Sequence, residues 1–141
     1  MSIEYNKELV RRSVEEFYNR ENLDTTDELF TADFVSHDPT GIKAGSVEDL
    51  KTLMNGIYAA FPDFHLVIDE LIVEGDKVVK RYTFTGTHQG EYLGASPTGK
   101  AITTSGTDTY RIADGKLAEQ WANANWLGFL QQLGVVPPLS G

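Results

Sequence analysis

The feature that most constrains this chain is a change of period near its middle. Up to about Phe61 the apolar residues recur at helical spacing, and from His65 onward they fall in long runs broken by turn residues. Leu9, Val10, Val14, Phe17 and Tyr18 make one stripe between Asn6 and Asn19 with Arg11, Arg12, Glu15 and Glu16 off it, which predicts an amphipathic helix. A short second helix is expected over Thr26–Phe30, then an extended piece at Phe34-Val35 stopped by Asp38-Pro39. Ser46 with Asp49 three residues on reads as a capping box, opening a helix through Leu50, Leu53, Met54, Ile57 and Tyr58 that ends before Pro62.

Four strands are expected after that: His65–Glu74, Lys77–Thr87, Ala101–Ile112 and Leu117 to about Asn125. Glu74-Gly75-Asp76 and Ala113-Asp114-Gly115-Lys116 read as hairpin turns, and a loop with Gly90, Gly94 and Pro97-Thr98-Gly99-Lys100 separates the middle pair. A final short helix carries Leu127, Phe129, Leu130 and Leu133. Helices first and a strand meander after them is the order of an α+β fold rather than an alternating α/β one. A curved antiparallel sheet with helices over one face encloses an apolar space, and such spaces are where small ligands bind.

Composition narrows the function. The 141 residues fit one domain, read as 1–141, and the formal net charge is -9 with no Lys/Arg cluster. Nucleic acid and anionic membrane surfaces are therefore excluded as partners, because both are held by clustered cations. Without cysteine there is no disulfide, thiolate metal site or cysteine nucleophile. MSIEYNKELV has no basic stretch before an apolar run, so no signal peptide is expected and a cytoplasmic location is.

Strand alternation then assigns faces. Val78, Lys80, Tyr82 and Phe84 share one face of the second strand, and Gly106, Asp108, Tyr110 and Ile112 one face of the third. In the fourth, Glu119, Trp121, Asn123 and Asn125 alternate with Gln120, Ala122 and Ala124. Taking the aromatic faces as inner, Tyr82, Phe84, Tyr110 and Trp121 line the interior, with Phe17 and Tyr58 as lid residues from the helices. The Thr- and Arg-bearing faces point outward, to solvent or to a two-fold partner. Asp108 and Asn125 fall on the aromatic side. A carboxylate among rings is desolvated, its pKa rises, and it becomes a candidate acid or base. The alternative is a bulge near Gly106 that lets Asp108 meet solvent or a backbone N–H.

The order Gly86-Thr87-His88-Gln89-Gly90-Glu91, Pro97-Thr98-Gly99-Lys100, Asp114-Gly115-Lys116, Trp121, Leu127-Gly128 and Gln131-Gln132-Leu133-Gly134, with Val35-Ser36-His37-Asp38-Pro39 earlier, resembles the SnoaL-like polyketide cyclase family of the nuclear transport factor 2-like superfamily. The resemblance covers nearly the whole chain. It implies a cone-shaped α+β barrel with a deep pocket for a hydrophobic small molecule, a homodimer, and intramolecular aldol ring closure without metal or cofactor. It also implies an Asp as acid/base four residues after the strand tryptophan. That position is Asn125 here, and an amide cannot carry the proton, although it can hydrogen-bond an enolate oxygen.

Two readings follow. One is a cofactor-independent cyclase or isomerase acting by proton transfer on a hydrophobic carbonyl compound, with Asp108 or His37 as acid/base, Asn125 as oxyanion partner and the aromatics setting specificity. The other is a non-catalytic ligand-binding or dimeric assembly module. His37 could also merely end its strand beside Asp38-Pro39. His65 and His88 read as an edge and a loop residue. No spacing among the three histidines matches a metal motif, so none is assigned as a ligand.

Overall fold

The computed structural model describes residues 2–38 and 45–139. Helix α1 (Ile3–Arg12) winds on as a π-helical stretch (Ser13–Asn19), and a 3-10 turn (Leu23–Thr25) leads into α2 (Thr26–Leu29). Strand β1 (Phe30–His37) precedes α3 (Val47–Ala60), followed by β2 (His65–Glu74), β3 (Lys77–Thr87), β4 (Ala101–Ala113), β5 (Lys116–Ala124) and α4 (Trp126–Leu133). The sheet order is β1-β5-β4-β3-β2; β1 runs parallel to β5 and every other pair is antiparallel. Apart from β1 and the closing α4, helices precede the β2–β5 meander, and α3 and α4 lie over the inner face of the curved sheet, so the fold is α+β.

Local chemistry sets the element ends. The Ser46 hydroxyl accepts from the Asp49 N–H while the Asp49 carboxylate accepts from the Ser46 N–H, closing the expected capping box at α3. The β4–β5 turn places Asp114 and Gly115 at φ 52° and 72°, the two left-handed positions of a tight hairpin turn. Val10, Phe17, Leu29 and Leu50 from the helical side pack with Val78, Phe84, Tyr110 and Leu117 of the sheet in one core.

That hairpin carries a fault that decides the site. Ala113 pairs with Lys116 and Ile112 with Leu117, but Arg111 then pairs with Glu119, so Ala118 is an extra residue in β5. Leu117 and Ala118 are both buried, and every later residue of β5 changes face. The inner face of β5 is Gln120, Ala122 and Ala124, while Glu119 and Trp121 stand outside. Plain alternation had placed Trp121 inward; the bulge corrects it. Among the described residues no helix is long and apolar enough to cross a membrane.

Candidate functional site

On the inner face the pairing builds rows across the sheet. Ser36, Gln120, Tyr110 and Val78 form one; Ala122, Asp108, Lys80 and Leu71 the next; Ala124, Gly106, Tyr82 and Ile68 the third. Ala122 and Ala124 are small, and beneath α3 and α4 they border a cavity of ≈ 120 Å³; Gly106 instead makes room for the Tyr82 phenol, whose oxygen a Cβ there would overlap. Its wall is mostly apolar, from Leu50, Leu53, Met54 and Ile57 of α3 to Phe84 and Phe129. Had Trp121 faced inward, its ring would occupy this region.

The polar part of the wall is concentrated on the second row. Lys80 is 1% exposed and Asp108 4%. The Lys80 ammonium lies 3.2 Å from Asp108 Oδ2 and donates to the Tyr110 hydroxyl at 3.0 Å. It also sits over three rings, 4.9 Å from those of Tyr18 and Tyr82 and 5.3 Å from that of Tyr110. Burial pushes the Asp108 carboxyl up, against the pull of Lys80, Gln120 and the Asn123 backbone. For Lys80, burial acts to lower the value, but Asp108 and the phenols outweigh it and the ammonium is held above its ordinary range. Burial likewise raises Tyr18, Tyr82 and Tyr110. No hydrogen bond reaches Asp108 Oδ1, Gln120 Oε1 or Trp126 Nε1, three buried polar atoms on residues that line the same cavity.

The residues singled out from the sequence fall into three places. Asp108, Asn125, Tyr82 and Phe84 stand at the cavity. Phe17, Tyr58 and Tyr110 are buried in the core around it; the Tyr58 hydroxyl donates to the carbonyls of Phe17 and Tyr18 at 3.2 and 2.9 Å, locking α3 to the end of α1. His37 and Trp121 are together on the outer face, stacked at 5.5 Å, with His37 Nε2 2.7 Å from a Glu119 oxygen that shares its carboxylate with Arg111. It is Ser36 of β1 and Asp38 just past the strand's end, on either side of His37, that line the cavity.

Asn125 caps α4: its side-chain oxygen accepts the Gly128 N–H at 3.0 Å. His65 is exposed at the start of β2. His88 is buried on Phe61, with Nδ1 accepting the Thr98 N–H at 3.2 Å, which fixes the β3–β4 loop. Among the described residues no group of three metal-ligating side chains comes together. Lys80, Gln120 and Trp126 were not singled out in advance. Lys80 had a signal, its place in the Val78-Lys80-Tyr82-Phe84 alternation; its pairing with Asp108 comes from the register. Gln120 was hidden by the bulge.

The SnoaL-like polyketide cyclase family model matches residues 8–133. The chain belongs to the SnoaL-like polyketide cyclase family. The chain is similar to the crystal structure of AclR from Streptomyces galilaeus, provisionally a hydroxylase, with 33% identity over 98% of this chain and 86% of that one and a TM-score of 0.87. It is also similar to a provisional polyketide cyclase from Acidithiobacillus ferrooxidans (31% identity, 96% and 99% covered, TM-score 0.84). IdmH of Streptomyces antibioticus, another provisional polyketide cyclase, shares 26% identity over 92% of this chain and 98% of its own, with a TM-score of 0.81. No curated protein matches the chain significantly. The fold of the family is the nuclear transport factor 2-like one, and the five-stranded curved sheet described above has it.

Proposed function

We propose that this protein is a cofactor-independent cyclase or isomerase that moves a proton on a small hydrophobic carbonyl compound. The observation that carries the reading is a deeply buried carboxylate, Asp108, with one oxygen unpartnered, on the wall of a mostly apolar cavity. A free oxygen takes an α-proton from the bound ketone; the carboxylic acid so formed returns it at another carbon, and no oxidant or reductant is needed. Asn125 cannot replace Asp108 in this. With its oxygen held by Gly128, its amide nitrogen is the donor that would meet the enolate oxygen. His37, on the outer face, takes no part.

The test needs no knowledge of the natural substrate. Deuterium uptake at the α-carbons of β-tetralone in deuterated buffer, followed by NMR, should be faster with the protein than in buffer. Asp108→Asn, folded by circular dichroism, should lose that excess. Equal rates for the two proteins would sink the assignment. A second reading, a pocket that binds without turnover, is favoured by one observation: the family's acid position is spent on capping α4. It predicts binding of β-tetralone with no excess exchange in either the wild type or Asn125→Asp. We also propose a homodimer through the outer face of the sheet, argued below.

A further inference from the structure

We infer that Lys80 and Asp108 work together as a charge filter, a self-compensated ion pair that makes the cavity select uncharged ligands and turn carboxylates away. The inference rests on the reading that this cavity is the working site, though not on the chemistry done there.

Lys80 is the only cationic side chain among the described residues that line the cavity. Its ammonium is already committed: to Asp108 Oδ2 at 3.2 Å, to the Tyr110 hydroxyl at 3.0 Å and to the faces of Tyr18 and Tyr82, each at 4.9 Å. A ligand carboxylate would have to displace Asp108 from it or lie uncompensated beside a second carboxylate. The unpartnered Gln120 Oε1, a further acceptor on the same wall, makes that worse. A cationic ligand meets the buried ammonium instead, and the two carboxylates on the wall, Asp108 and Asp38, are already engaged. Either charge loses its water and gains no free counter-ion, which is the costly case for a buried charge.

An uncharged ketone suffers neither penalty, and its acceptor can still reach the amide of Asn125 or the indole N–H of Trp126. A buried pair of this kind is commonly no more stabilising than apolar residues of the same volume. An all-apolar wall would serve the fold as well and would also reject charge by desolvation; what the pair adds is a balance of opposite charges, so that removing one partner opens the site to ligands of that partner's sign. Building in a group left unpaired by the wrong ligand is how a site discriminates.

The experiment compares two probes of nearly the same shape, para-methylacetophenone and para-acetylbenzoate, by calorimetric titration or ligand-observed NMR. The wild type should bind the neutral ketone on the order of tenfold or more tighter than the carboxylate. In Asp108→Asn the Lys80 charge is uncompensated, and the carboxylate-to-ketone affinity ratio should rise on the order of tenfold or more. In Lys80→Met the ratio for the cation para-(aminomethyl)acetophenone should rise instead. A wild type that binds para-acetylbenzoate as tightly as the ketone, or that binds neither, overturns the inference, and that arm needs no variant to fold. An unchanged ratio in a folded Asp108→Asn overturns it too. Selective binding without deuterium exchange would sink the proton-transfer reading and leave the filter standing. Exchange that depends on Asp108 without charge selectivity would do the reverse.

Discussion

A lysine ammonium and an aspartate carboxylate buried side by side make this fold sensitive to pH through two residues. The Asp108 carboxyl is held above its ordinary range, so the folded state binds that proton more tightly than the unfolded chain. The contribution of Asp108 to stability is therefore largest in acid and declines as pH rises through its raised value. Lys80, also raised, contributes fully below the ordinary lysine range and loses its contribution above it, at alkaline pH. Lys80→Met removes the partner and leaves a buried carboxylate uncompensated, which should cost about 3–5 kcal/mol at neutral pH. That loss should shrink as pH falls and Asp108 is protonated. Lys80→Met/Asp108→Leu should regain most of the stability and lose the pH slope. Urea unfolding at several pH values checks this, and a double variant no more stable than the single one would refute it. The sequence placed Lys80 and Asp108 on inner faces but did not pair them. Charged side chains ordinarily read as outward, and the long β3–β4 loop, unlike a tight turn, does not fix the register that makes them cross-strand partners.

At the scale of elements, the hairpins and helices were legible because their signals are local: a capping serine, a left-handed Asp-Gly, a change of period. What was not legible is where one residue alters the count. Ala118 as a bulge reverses the faces of β5, and nothing in Lys116-Leu117-Ala118-Glu119 marks it; its cause is the need to bury Leu117 and Ala118 while Glu119 meets Arg111 and His37 outside. The π-helical end of α1 was equally silent, since a helical stripe reads the same through it. That end has a use. It carries Asn19 to the open edge of β2, where its side chain donates to the Leu66 carbonyl at 2.9 Å and accepts the Leu66 N–H at 2.8 Å, standing in for a neighbouring strand. Asn19→Ala should free both groups, destabilise by about 1–3 kcal/mol and speed hydrogen exchange at the Leu66 amide more than at other β2 amides. Asn19→Asp, which keeps only the acceptor, should fall between. Unchanged protection of Leu66 would show that α1 holds the edge by packing alone.

At the scale of the molecule, the architecture followed from the order of helices and strands, and the family resemblance rested on motifs in the loops and strand ends. The same bulge that opens the cavity shapes the other side of the sheet. His37, Trp121, Thr109, Val79 and Ile72 pair in one row across all five strands on the outer face. Ile72 is 54% exposed and Val35, in the same face of β1, 37%. A row of indole, β-branched aliphatic and threonine side chains flanked by the Glu119–Arg111 pair is unusual for a face meant only for water, and a two-fold axis would set this same patch against its copy. We therefore expect a dimer that buries this row. Trp121→Glu/Ile72→Glu puts two like charges into it without touching the cavity, and should shift the sedimenting species from dimer to monomer while the β-tetralone affinity changes little. A wild type that sediments as a monomer at high micromolar concentration would refute the dimer. So would a double variant that still sediments as one, because the contact would then lie elsewhere.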